Sequence, residues 1–142
     1  MAMSEVIITA EEFRKRLAQL CTVGRANDLP RRPRDRSIIL KSIALRLQVG
    51  KVYSEPELKR ALTEWNGAVG NAMQVDHAAL RRNLIDEKFL TRSADGRSYE
   101  LVADAKADLF ADDLRGIDPA AVVNEAILAA AAKREAYRNK PR

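Results

Sequence analysis

Residues 76–101 read DHAALRRNLIDEKFLTRSADGRSYEL, and their order decides the fold. Asp76 is a helix cap, and Leu80 and Leu84, with Ile85 close by, recur at helical spacing. The stretch therefore predicts a helix from Asp76 to about Lys88. Phe89 and Leu90 carry the apolar pattern into a short strand. Asp95-Gly96 suits a type I′ turn, in which both central residues tolerate positive φ, and Ser98 to Val102 is the return strand. A helix followed by a two-stranded ribbon is a shape many proteins use to hold DNA.

Upstream, capping residues punctuate the chain. Thr9 with Glu12 has capping-box spacing and opens a first helix whose apolar face is Phe13, Leu17 and Leu20. Residues 22–34 form a linker broken by Gly24, Pro30 and Pro33. A second helix is expected from near Asp35 or Ser37 to near Gly50, with Ile39, Ile43 and Leu47 inward and Leu40 and Ala44 beside them. Val52-Tyr53 makes a brief strand. Ser54-Glu55-Pro56-Glu57 is another capping box with proline in the first turn. It opens a third helix carrying Leu58, Ala61, Leu62 and Trp65, which Asn66-Gly67 stops. Beyond the ribbon, a helix is expected from about Asp104 to Leu114. Asp118-Pro119 then restarts a last helix reaching about Tyr137, with Val123, Ile127, Ala130 and Ala131 on one face.

The middle of the chain thus reads helix, strand, helix, loop, helix, strand, strand. The predicted fold class is mainly α with a small β-wing, a winged helix-turn-helix core with added N- and C-terminal helices. The organisation read from the sequence is an N-terminal helix and linker over residues 1–28, a winged-helix domain over 29–102 and a C-terminal helical extension over 103–142.

Composition bounds the function. The 142 residues carry a net charge of +5, compatible with a nucleic-acid partner. Arg25, Arg31, Arg32, Arg34, Arg36, Lys41, Arg46 and Lys51 face only Asp28 and Asp35 in their stretch, whereas residues 100–118 are acidic. With one Cys and one His, the chain has no intramolecular disulfide, no cysteine zinc site and no spare base for a Ser-His-Asp triad. No phosphate loop occurs. The expectation is a non-enzyme without cofactor or metal. No apolar run has membrane-spanning length and the first residues lack a signal-peptide pattern, so a cytoplasmic protein with no membrane partner is expected.

The motif set Leu29-Pro30, Tyr53, Asp76, Leu80-Arg81-Arg82, Leu84, Leu90, Arg92, Gly96 and Tyr99 resembles the bacterial family known as domain of unknown function 2087. Lys59 stands where family members often carry Asn, and the loop 66–75 is long for the family. The resemblance implies a winged-helix-like domain, found alone or joined to helix-turn-helix regulator domains, and hence a role in transcription.

Two functions follow as expectations. The first is a DNA-binding transcription regulator, working as a homodimer on double-stranded DNA through the helix 76–88 and the wing 89–102. Arg81 and Arg82 either reach the DNA or are held internally, Arg82 by Asp86 one turn on and Arg81 by Asp76 or the wing. Arg92 and Arg97 flank the wing tip, Lys88 ends the helix, and His77 in its first turn is exposed enough to touch phosphate. Arg31, Arg32 and Arg34 form either a basic arm for phosphates or a solvated linker paired with the acidic segment. The second function is a protein–protein interaction module of the same shape that binds no DNA. Tyr53, Trp65, Tyr99 and Cys21 read as packing residues. The Ala-rich last helix has too much apolar surface to stand alone, so it either folds back over the winged helix together with the first helix or builds the dimer.

Overall fold

Caps and prolines fix where the helices begin. The computed structural model describes residues 7–22 and 28–140; the predicted Gly24 break and Arg25 lie outside them. Helix α1 spans Ala10–Thr22. The Thr9 hydroxyl accepts the Glu12 N–H at 3.1 Å, but the return half of the predicted box is missing because Arg34 takes the Glu12 carboxylate. Helix α2, Pro33–Ala44, begins before the predicted Asp35, since a proline in the first turn loses no helical hydrogen bond. It also ends well short of Gly50. Arg46 and Leu47 donate to the carbonyls three residues back, and Gly50 then turns the chain at φ +84°.

Strand β1, Val52–Ser54, leads into α3, Glu55–Ala68, through a complete Ser54–Glu57 capping box. The helix passes the predicted stop at Asn66-Gly67, because the Asn66 side chain reaches across the next loop to the Val75 carbonyl at 2.6 Å. Helix α4 is His77–Asp86, with the Asp76 carboxylate accepting from Ala78 N–H. It stops short of Lys88, which takes φ +67°. Strands β2, Leu90–Arg92, and β3, Ser98–Leu101, complete one antiparallel sheet in the order β1-β3-β2. Arg92 stands opposite Tyr99, which also pairs with Tyr53 across β1.

Two predictions are corrected. The hairpin turn is not type I′, because Gly96 has positive φ and Asp95 does not. Ser93 instead closes a wider turn: its carbonyl accepts from Gly96 N–H and its N–H donates to Ser98. The helix expected from Asp104 to Leu114 does not form. Asp104 and Lys106 sit at φ +56° and +54°, which a right-handed helix excludes. The segment is a series of turns that bridges to Ile8 through Phe110 and ends in a single 3₁₀ turn, Asp112–Leu114.

Helix α2 is the centre of the molecule. Ile38, Ile39, Leu40 and Ile43 are buried, and so are its polar Asp35, Ser37 and Ser42. Each of these three has a partner, Lys106 for Ser37. Asp35 receives two 2.8 Å hydrogen bonds from the Arg16 guanidinium. Ser42 accepts the Trp65 indole N–H at 2.9 Å and donates to the Ile39 carbonyl. One apolar cluster runs from Ile8 to Val123 and includes Tyr53, Trp65, Tyr99 and Cys21, as predicted for those four.

Helix α5, Pro119–Arg138, is capped by Asp118. Its first half packs on α1 through Val123, flanked by partly buried Ala120 and Val122. The predicted apolar face then divides. Val123 is buried, whereas Ile127 and Leu128 are 49% and 60% exposed. No helix among the described residues is long and apolar enough to cross a membrane.

Candidate nucleic-acid interface

Helix α4 and the β2–β3 hairpin bring three of the predicted site residues to one place. Arg81, Arg82 and Arg92 line a single open groove of about 360 Å³, shared with Ala78, Ile85 and Asp86. Helical spacing puts positions 78, 81, 82, 85 and 86 on one side of α4, while Leu80 and Leu84, on the other side, are buried.

The three guanidiniums are held differently. Arg81 bonds the Glu55 carboxylate at 3.0 Å, tying α4 to the start of α3. Its guanidinium carbon lies 5.9 Å from the centre of the buried Tyr99 ring. Arg92 lies 5.7 Å from the same ring and donates to the Gly96 carbonyl at 3.2 Å. Arg82 is exposed. It forms no hydrogen bond, ion pair or ring contact with the described residues, and the predicted i,i+4 pair with Asp86 is absent. Of the two internal partners predicted for Arg81, the wing contributes through Tyr99 and Asp76 does not, while Glu55 was not foreseen.

Lys88, between α4 and β2, and Arg97, in the hairpin turn, are exposed, without ionic partners among the described residues. The turn is ordered by Asp95, whose carboxylate accepts from the Ser93 hydroxyl and from Arg97 N–H. Those two bonds hold the Asp95 carboxyl below its usual range. His77 is half-buried, its Nδ1 3.4 Å from Asp76.

Of the basic run, Arg34 and Arg36 are part of α2 and pair with Glu12 and Glu87, neither of which belongs to the acidic segment. Arg34 lies in α2 and grips Glu12 with two 2.8 Å bonds. Arg36, also in α2, faces Glu87 at 3.8 Å. Arg31 and Arg32 are exposed just ahead of the helix.

Sequence reasoning missed the group that fixes the end of α4. Glu87 receives the Lys106 ammonium at 2.5 Å as well as Arg36. The Lys106 hydrogen bond, with the charges of Lys106 and Arg36, holds the Glu87 carboxyl below its ordinary range. Lys106 also reaches the Ser37 hydroxyl at 3.3 Å, but its ammonium is committed to Glu87, so the pair is not arranged as a nucleophile and base. Nothing in the local spacing announces this cluster, because its members come from three distant segments. Among the described residues, no group of three or more His, Cys, Asp or Glu side chains is placed to hold a metal ion.

By its architecture the chain is a mainly helical protein with one small three-stranded antiparallel sheet. Residues 25–101, over half of the chain, match the family described as "Uncharacterized protein conserved in bacteria (DUF2087)", and the chain belongs to that family. No curated protein and no solved structure matches it.

Proposed function

We propose that this protein is a winged-helix transcription regulator that binds double-stranded DNA with α4 and the β2–β3 hairpin. The observation that carries the reading is the groove in which Arg81, Arg82 and Arg92 meet; Lys88 and Arg97 add exposed charge with no ionic partner among the described residues. The order α2-β1-α3-α4-β2-β3 and the strand order β1-β3-β2 support it, because they set α4 beside a ribbon, the arrangement in which a helix enters a major groove and a wing lies along the backbone. Arg31 and Arg32 add exposed positive charge. A protein acting on the bacterial chromosome works in the cytoplasm.

The test is fluorescence anisotropy of a random-sequence duplex at low and physiological salt. Lys88, Arg92 and Arg97 give about three phosphate contacts, so log K should fall with log salt at a slope of about −2.7. Absence of binding at low salt removes the reading.

The regulator acts as a homodimer through α5. At about 1.5 Å per residue, α5 extends about 30 Å and α1 only about 20 Å, so the end of α5 outruns the helix it packs on. Asp118 and Glu125 lie toward its start, and Lys133, Arg134, Arg138 and Lys140 outnumber the single Glu135 toward its end. An antiparallel second copy therefore sets acidic against basic halves and aligns the helix dipoles favourably. Sedimentation should give a dimer that Leu128→Glu converts to monomer. A wild-type monomer that binds no DNA would instead favour the interaction-module reading, in which the exposed Ile127, Leu128 and Tyr137 receive another protein.

A further inference from the structure

Arg82 and Asp86 stand one helical turn apart on the same side of α4, line the same groove and do not pair. Oppositely charged residues at this spacing ordinarily attract, so both charges are left available to something else. Arg81 and Arg92 are already engaged, by Glu55 and by the Gly96 carbonyl, with Tyr99 beside both.

The carboxylate narrows what that something is. Facing phosphate, Asp86 would be repelled and would weaken the site. Facing base edges in a major groove, it has a favourable partner, because the cytosine N4 amino group donates there without an acceptor beside it. Adenine N6 has the N7 acceptor next to it, and thymine presents only an acceptor and a methyl. Arg82 finds its best match at guanine O6 and N7.

Resting on the DNA-binding reading above, we propose that Arg82 and Asp86 are the base-reading pair of α4, Arg82 taking guanine and Asp86 the cytosine amino group, while Arg81 positions the helix and contacts no base. Four residues advance about 6 Å along a helix, close to two base-pair steps of about 3.4 Å. The recognised element is then a guanine and a cytosine about two steps apart.

The experiment is selection from a randomised duplex pool with the full chain and with Arg82→Ala, Asp86→Ala, Asp86→Asn and Arg81→Ala, each also measured for thermal unfolding. The wild type should enrich guanine and cytosine at that spacing. Arg82→Ala should lose the guanine preference and about 5- to 150-fold in affinity for the enriched site, with an unchanged melt. Asp86→Ala should lose only the cytosine preference, and Asp86→Asn should shift that position toward adenine, which asparagine pairs with bidentately. Arg81→Ala should melt earlier and keep both preferences.

The proposal is overturned if Arg82→Ala and Asp86→Ala enrich the wild-type sequence, or if Arg81→Ala changes the preference with an unaltered melt. A wild type that binds duplex but enriches nothing overturns it and leaves the DNA-binding reading standing. A wild type that binds no duplex overturns both.

Discussion

Replacing Arg16 with methionine keeps the aliphatic stem and deletes both hydrogen bonds to a carboxylate at the centre of the fold. Asp35 is only 7% exposed, and Arg16 supplies its two 2.8 Å bonds. A fully buried pair broken on one side costs about 3–5 kcal/mol. Here the Arg16 side chain is 37% exposed, so water screens the pair, and about 2 kcal/mol is the better figure. Urea unfolding of the wild type, Arg16→Met, Asp35→Asn and the double variant gives the coupling directly, expected at about 1–2 kcal/mol at pH 7. Its pH dependence has a definite sign. The Arg16 hydrogen bond lowers the Asp35 pKa below its ordinary 3.8. The contribution is therefore complete above that value and disappears as the pH falls through the lower folded-state pKa. A coupling under about 0.5 kcal/mol at pH 7, or one that does not shrink in acid, would refute the account.

Three further outcomes follow from the core. Ser42→Ala leaves the Trp65 indole N–H buried without its acceptor and should cost about 1–3 kcal/mol in urea unfolding; a cost near zero would mean another group accepts it. Gly70→Ala places a Cβ 2.3 Å from the Trp65 ring, and overpacking of this kind should cost about 1–3 kcal/mol and shift the emission of the single tryptophan. Burial pushes the Cys21 thiol up to about 12, so at pH 8 a disulfide reagent should label it only at the rate of unfolding. Rapid labelling of the native protein would contradict its packing.

How much was legible in the sequence depended on how far apart the deciding residues lie. Helix starts were readable because a cap and its helix are neighbours: Ser54 with Glu57, Asp76, and Asp118 before Pro119 all act within one turn. Helix ends were less so. Asn66 reads as a stop until its side chain is seen bonded to Val75. The helix expected over residues 104–114 had the local composition for one, and lost to contacts made far away. Ile8 claims the backbone of Leu109 and Ala111, and Glu87 claims Lys106. Similarly, Arg82 and Asp86 have the right spacing to pair, and only the structure reveals that they do not. The candidate site residues on α4 and the hairpin were legible because one helix and one ribbon bring them together. Arg34 reads as part of a linker because its partner, Glu12, lies on another helix.

The same distant charges make a test in which position and electrostatics predict opposite signs. Helix α4 is anchored at its middle by Arg81 on Glu55 and just past its end by Glu87 between Arg36 and Lys106. Anchoring matters to a reader of DNA because a helix already in place loses little freedom on binding. Glu87→Ala removes a negative charge beside the proposed interface. Charge alone then predicts tighter binding to a polyanion and a steeper salt dependence. Loss of the anchor predicts weaker binding to the selected sequence, with an unfolding cost of about 1–2 kcal/mol because the three side chains are only about one-quarter exposed. Anisotropy against random and selected duplexes separates the two effects. Tighter random-sequence binding with weaker selected-sequence binding is the expected pattern, since the first responds to charge and the second to where Arg82 and Asp86 are held. If both affinities rise together, the placement of α4 does not depend on Glu87, and the cluster of Glu87, Arg36 and Lys106 serves stability alone.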